Sequence, residues 1–165
     1  MYVILVASLD ENVKLAKALE KQLQTLNAKS MMVNVVELNL PMYTSREEEK
    51  GIHQVIYELV KILEKAEGYI VVAPEYNYSI PPVLTNVVAW ISRVDSDFRK
   101  YFNQKNILLA THSGGGGKDV LRDMRMQFTK LGAEVLENEI LTTYKKPLDA
   151  SYSKAVLVEF LEVSI

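Results

Sequence analysis

Three short stretches of the chain combine residue types suited to holding a ligand. The first, PEYNYSIPP at Pro74–Pro82, follows directly on the apolar run GYIVVA and puts an acid, two tyrosines and an asparagine where that run ends. Such a tip offers a planar ligand backbone amides after Pro74, an amide side chain at Asn77 and aromatic rings at Tyr76 and Tyr78. The second, HSGGGGK at His112–Lys118, sets four glycines in a row after another apolar run. Glycine lets a backbone come close to a ligand and adopt dihedrals closed to other residues. The third, SLDEN at Ser8–Asn12, leads into a helical pattern, where the free amides and positive dipole end of a helix can receive a phosphate. Ser8 and Asn12 can add hydrogen bonds there. Asp10 and Glu11 work against an anion, and no arginine or lysine precedes Lys14.

The elements that must bring these stretches together alternate along the chain. YVILVAS (Tyr2–Ser8) is a continuous branched apolar run, which suits a strand covered on both faces. After it, Val13, Leu15, Leu19, Leu23 and Leu26 recur at helical spacing among charges. MMVNVVEL reads as a second strand, and SREEEKGIHQVIYELVKILEKAE as one helix with Ser45 as its cap. GYIVVA is a third strand, followed by a helix from PPVLTNVVAWISRV whose first turn tolerates proline. NILLATHS, GKDVLRDMRMQFTKL and AEVLENEIL repeat strand, helix, strand, with Gly132 stopping the helix, and DASYSKAVLVEFLEV supplies the last helix.

This alternation predicts an α/β fold, a single domain over 1–165, with a parallel sheet, right-handed crossovers and helices on both faces. Five strands suit the flavodoxin-like order 2-1-3-4-5. Ligands of such sheets sit outside the carboxyl ends of the strands, and all three stretches above are strand ends of that kind.

Bulk properties exclude several function classes. With no cysteine, disulfides, thiol nucleophiles and thiolate metal sites are ruled out, so redox chemistry requires a bound cofactor. A net charge of -2 with mixed signs provides no basic face for nucleic acid or an anionic membrane. The N-terminal run has no basic segment before it and is short for a signal peptide or a membrane span, so a cytoplasmic location is expected. Neither His53 nor His112 has an acid or a second histidine at metal-ligand spacing, and His53 is expected on a helix surface.

PEYNYSIPPVLTNVVAWISR, together with the strand ending in HSGGGG and the segment KLGAEVL, resembles the NADPH-dependent FMN reductase family, flavodoxin-like proteins that include quinone, chromate and azo-compound reductases. The resemblance covers nearly the whole chain. It implies that Pro74, Glu75, Tyr76 and Asn77 wall and hydrogen-bond a flavin ring, and that Ser113, Gly114 and Gly115 approach its pyrimidine side. It also implies FMN as cofactor, NADPH or NADH as donor, a quinone or similar small molecule as acceptor, and a homodimer or homotetramer. No side-chain acid or base is obligatory in that chemistry, because the flavin carries it. The family's phosphate loop resembles Gly-Ser-x-Arg; here Ala7 replaces the glycine, the arginine is missing and the loop is shorter. That departure implies a weaker hold on the FMN phosphate. It keeps open a second reading, a flavodoxin-like binding or regulatory module that has weakened or lost its FMN.

Overall fold

The computed structural model describes residues 1–164. Its elements are β1 (Tyr2–Val6), α1 (Glu11–Thr25), β2 (Ser30–Asn34), α2 (Ser45–Glu48), α3 (Gln54–Lys65), β3 (Gly68–Val72), α4 (Pro82–Ile91), β4 (Asn106–Ser113), α5 (Lys118–Lys130), β5 (Glu134–Val135), β6 (Ile140–Thr143) and α6 (Ala150–Val163). The sheet is parallel throughout, in the order β2-β1-β3-β4-β5, with β6 also paired to β4.

Both faces of the central strands are covered, which is why their sequences are apolar at every position. Val3 and Leu5 of β1 join a core with Leu63, Trp90, Phe102 and Phe128, while Ile4 and Val6 join one with Leu19, Leu23 and Phe160. The first core lies under α3, α4 and α5, the second under α1 and α6. Register aligns the strand ends: Val6 faces Val72, and Val72 faces Ala110. The loops after β1, β3 and β4 therefore emerge at one edge.

Four expectations change in detail. The fifth strand is split, with β5 pairing to the start of β4 and β6 to its end. Arg125 of α5 stabilises the detour between them, its guanidinium donating to the carbonyls of Val135 (3.4 Å) and Glu137 (3.2 Å) and to Glu139 Oε2 (3.0 Å). The helix expected from Ser45 breaks into α2 and α3 at Gly51, whose φ of 102° no L-helix accommodates. Thr44, not Ser45, is the cap, its Oγ1 accepting from Glu47 N at 3.1 Å. β2 stops early because Asn34 turns its own backbone, Oδ1 accepting from Val36 N.

The motif residues of α4 have a structural task. Asn86 Nδ2 and Trp90 Nε1 both donate to the Pro41 carbonyl, at 3.0 and 2.9 Å, and Asn86 Oδ1 accepts from Tyr43 N. They pin the segment between β2 and α2 against the core. His53 packs edge-on against Trp90, with centroids 5.3 Å apart, instead of lying free on a helix surface.

Candidate active site

A cleft of 170 Å³ opens where the loops after β1, β3 and β4 meet. Ser8 and Asn12 line its first side, Pro74, Glu75 and Tyr76 the second, and Ser113 and Gly114 the third. Asn77 and Gly115 lie outside this lining. Asp10, Glu11, His112 and Tyr144 complete it. Two clefts of 340 Å³ each share its walls, one beyond Tyr76 toward Leu9 and Pro81, the other beyond His112 and Tyr144 toward Lys14 and Pro147. Ligand pockets for molecules of flavin size occupy about 300–1,000 Å³. The central cleft is thus the narrow middle of a longer trough.

The loop after β3 is a two-residue hairpin. Tyr76 and Ser79 exchange backbone hydrogen bonds at 3.1 and 3.0 Å, and Asn77 (φ 48°) and Tyr78 (φ 61°) both have left-handed backbone. A type I′ turn requires that conformation at both central residues, and asparagine adopts it readily. Asn77 is accordingly an exposed turn residue at the tip. The hairpin is tied to α5 at two points. Ser79 Oγ donates to Asp123 Oδ2 at 2.8 Å, which, with Arg122 beside it, holds the Asp123 carboxyl below its usual range. Glu75 Oε2 accepts from the amides of Asp119 and Val120, both at 3.2 Å. These are the amides that an N-cap side chain normally satisfies, and the cap position of α5 is Gly117, which has no side chain. Glu75 therefore caps α5 from across the cleft.

The glycine run divides by role. Gly117 has φ 74° and needs glycine for its backbone. Gly114, Gly115 and Gly116 have no such φ, and a Cβ would meet only Tyr144 at 4.0 Å, Glu75 at 3.5 Å and nothing within 4 Å, respectively. Nothing inside the described chain selects glycine at these three positions, which leaves open space for a flat group to lie against the backbone. Gly115 N is bound to Ser113 Oγ at 3.1 Å.

The loop after β1 is held more firmly than its sequence implies. Asn12, 2 % exposed, donates from Nδ2 to His112 O (2.9 Å) and accepts at Oδ1 from His112 N (2.7 Å). Its amide is spent on this clamp. Asn34 Nδ2 holds Ser8 O at 2.8 Å, and Ser8 Oγ accepts from Asp10 N at 3.2 Å. Lys14 pairs with Glu11 at 2.6 Å, and this pairing keeps the Glu11 carboxyl below its usual range. His112 and Tyr144, whose rings meet edge-on with centroids 4.9 Å apart, are the lining residues that pattern reading passes over. His112 carried a signal, since it immediately precedes the glycine run; Tyr144 carried none, because only the pairing of β6 with β4 brings it there.

At its Pro74, Tyr76 and Gly114 end the cleft has room for a flat ring, and at its α1 end it provides carboxylates and no basic side chain.

Comparison with known proteins identifies the fold and the family. Quinone reductase of Escherichia coli K12 is 31 % identical over 112 residues, a match that takes in 65 % of this chain and 58 % of that protein's length. Among solved structures, FerB, a flavoenzyme NAD(P)H:(acceptor) oxidoreductase from Paracoccus denitrificans, superposes with a TM-score of 0.82 at 17 % identity, covering 99 % of this chain and 96 % of that one. A flavodoxin from the domain Archaea gives 0.69 at 15 % identity, with 99 % of each chain covered. At such identities the structural likeness establishes the flavodoxin-like fold. The model of the NADPH-dependent FMN reductase family matches residues 2–146, and the chain belongs to that family.

Proposed function

We propose that this protein is a flavin-dependent NAD(P)H oxidoreductase that takes electrons from NADPH or NADH and passes them through FMN to a quinone or a similar small acceptor. The observation that carries this reading is the glycine cradle. Gly114, which the backbone does not require to be glycine, faces Pro74 and Tyr76 across a cleft at the strand ends, and Gly115 and Gly116, equally unconstrained, continue the loop beyond the lining. When bound, the flavin would supply the two-electron chemistry. The chain's own residues bind and orient it. Pro74 and Tyr76 wall the ring, and Glu75 fixes the glycine loop by capping α5. Backbone amides of that loop would stabilise charge that develops on the ring's pyrimidine side. Tyr76, half exposed, leaves one side of the cleft open to a stacked donor or acceptor. A homodimer or homotetramer belongs to this proposal and is checked by light scattering.

The direct test is NADPH and NADH oxidation by purified protein supplied with FMN and a quinone. Flavin-dependent turnover is expected; its absence with every quinone and dye overturns the reading. The acidic loop at Asp10 and Glu11 favours the second reading, a binding module without turnover. Under that reading Asp10→Arg changes neither flavin binding nor turnover.

A further inference from the structure

The α1 end of the cleft has a chemistry that a phosphate does not match. Asp10 and Glu11 line it, and no lysine or arginine does. Lys14, which lines the neighbouring cleft, is already engaged with Glu11. Two donors are committed, the Asn12 side-chain amide to the His112 backbone and Asp10 N to Ser8 Oγ, while the first-turn amides of Glu11 and Asn12 are left open but share their turn with the two carboxylates. What this end offers instead is acceptors. His112 adds one. Thr142 Oγ1 donates its hydrogen to Thr111 O at 3.2 Å, so at 3.0 Å it accepts from His112 Nδ1, which carries the ring proton. That leaves Nε2 as a lone pair, buried and without a partner, in the wall that the central cleft shares with its neighbour. A buried acceptor without a donor is costly, and a ligand hydroxyl would relieve it.

Building on the flavin reading above, we infer that the site recognises its flavin by the ring and the neutral polyol chain, with His112 Nε2 and the Asp10–Glu11 carboxylates accepting from hydroxyls. The terminal phosphate contributes nothing to affinity. The preferred ligand class is thus a flavin with a neutral polyhydroxylated tail, held as well without its phosphate as with it.

Three probes separate the parts: lumiflavin (ring alone), riboflavin (ring and polyol) and FMN (ring, polyol and phosphate), each titrated against the apoprotein by fluorescence quenching. The expected order is lumiflavin weakest by tenfold or more, with riboflavin within threefold of FMN or tighter. FMN binding more than threefold tighter than riboflavin overturns the inference, as does lumiflavin binding as tightly as riboflavin. His112→Leu is expected to weaken riboflavin at least threefold, toward the affinity of lumiflavin, with a smaller effect on lumiflavin itself. The pair Asp10→Asn and Glu11→Gln is expected to tighten FMN at least fivefold. If none of the three probes binds, the flavin reading itself fails, an outcome distinct from a phosphate-dependent order among bound flavins.

Discussion

Asn12 and His112, a hundred positions apart, are joined by a reciprocal pair of hydrogen bonds in which one side chain satisfies both backbone groups of the other residue. The clamp locks the start of α1 to the end of β4, and so sets the distance between two walls of the cleft. Asn12, which the sequence places in the phosphate loop, fastens the site. Its removal leaves a buried N–H and C=O without partners, each costing roughly 1–3 kcal/mol. Asn12→Ala is therefore expected to lower the unfolding free energy by about 2–6 kcal/mol, measured by urea denaturation.

Glu75 is expected to act on α5 although it lies in another loop. Losing an N-cap costs about 0.5–2 kcal/mol. Glu75→Ala should destabilise by about that amount. In hydrogen exchange, the amides of Asp119 and Val120 should lose protection ahead of the rest of α5. Uniform loss along the helix would contradict a capping role.

The glycine run predicts opposite outcomes for neighbouring positions. Gly117→Ala forces a side chain into left-handed backbone, with Ser113 and Thr111 carbons only 3.1 Å from the new Cβ. Left-handed backbone alone costs about 1–2 kcal/mol for an L-residue, and a fall in stability of at least that size is expected. Gly116→Ala enters open space and should leave the melting temperature unchanged. Gly114→Val should likewise fold normally, yet weaken flavin binding tenfold or more by filling the cradle.

Asp123 supplies a pH signature for the docked hairpin. Its folded pKa is lowered, first by the Ser79 hydrogen bond and then by Arg122. The contact therefore stabilises the protein above the ordinary aspartate range, and that stabilisation is lost as pH falls through the lower folded value. Ser79→Ala should raise the Asp123 pKa toward ordinary values in an NMR carboxyl titration. No movement would show that the hydroxyl does not reach it.

Much of the fold was legible because the central strands are buried on both faces and their apolar runs are unbroken, as at Tyr2–Val6 and Gly68–Val72. The split of the last strand was not, since it depends on Arg125 reaching carbonyls from another element. At the cleft, Pro74, Tyr76 and Gly114 were legible from type and position after a strand. Asn12 and Asn77, expected from sequence to bind the cofactor, stand in a clamp and at a turn tip. An asparagine side chain serves a clamp, a left-handed turn or a ligand equally well, and only tertiary geometry decides among them. Tyr144 was hidden because the segment around it has no periodicity and reaches the cleft only through pairing of Ser113 with Thr143.

Anaerobic rapid mixing of the flavin-loaded protein with NADPH or NADH, followed by a quinone, tests the central claim most directly. The account predicts that the visible flavin absorbance bleaches on mixing with the nicotinamide and returns when the quinone is added. A bound flavin that keeps its absorbance with both nicotinamides would contradict it and leave the protein as a binding module.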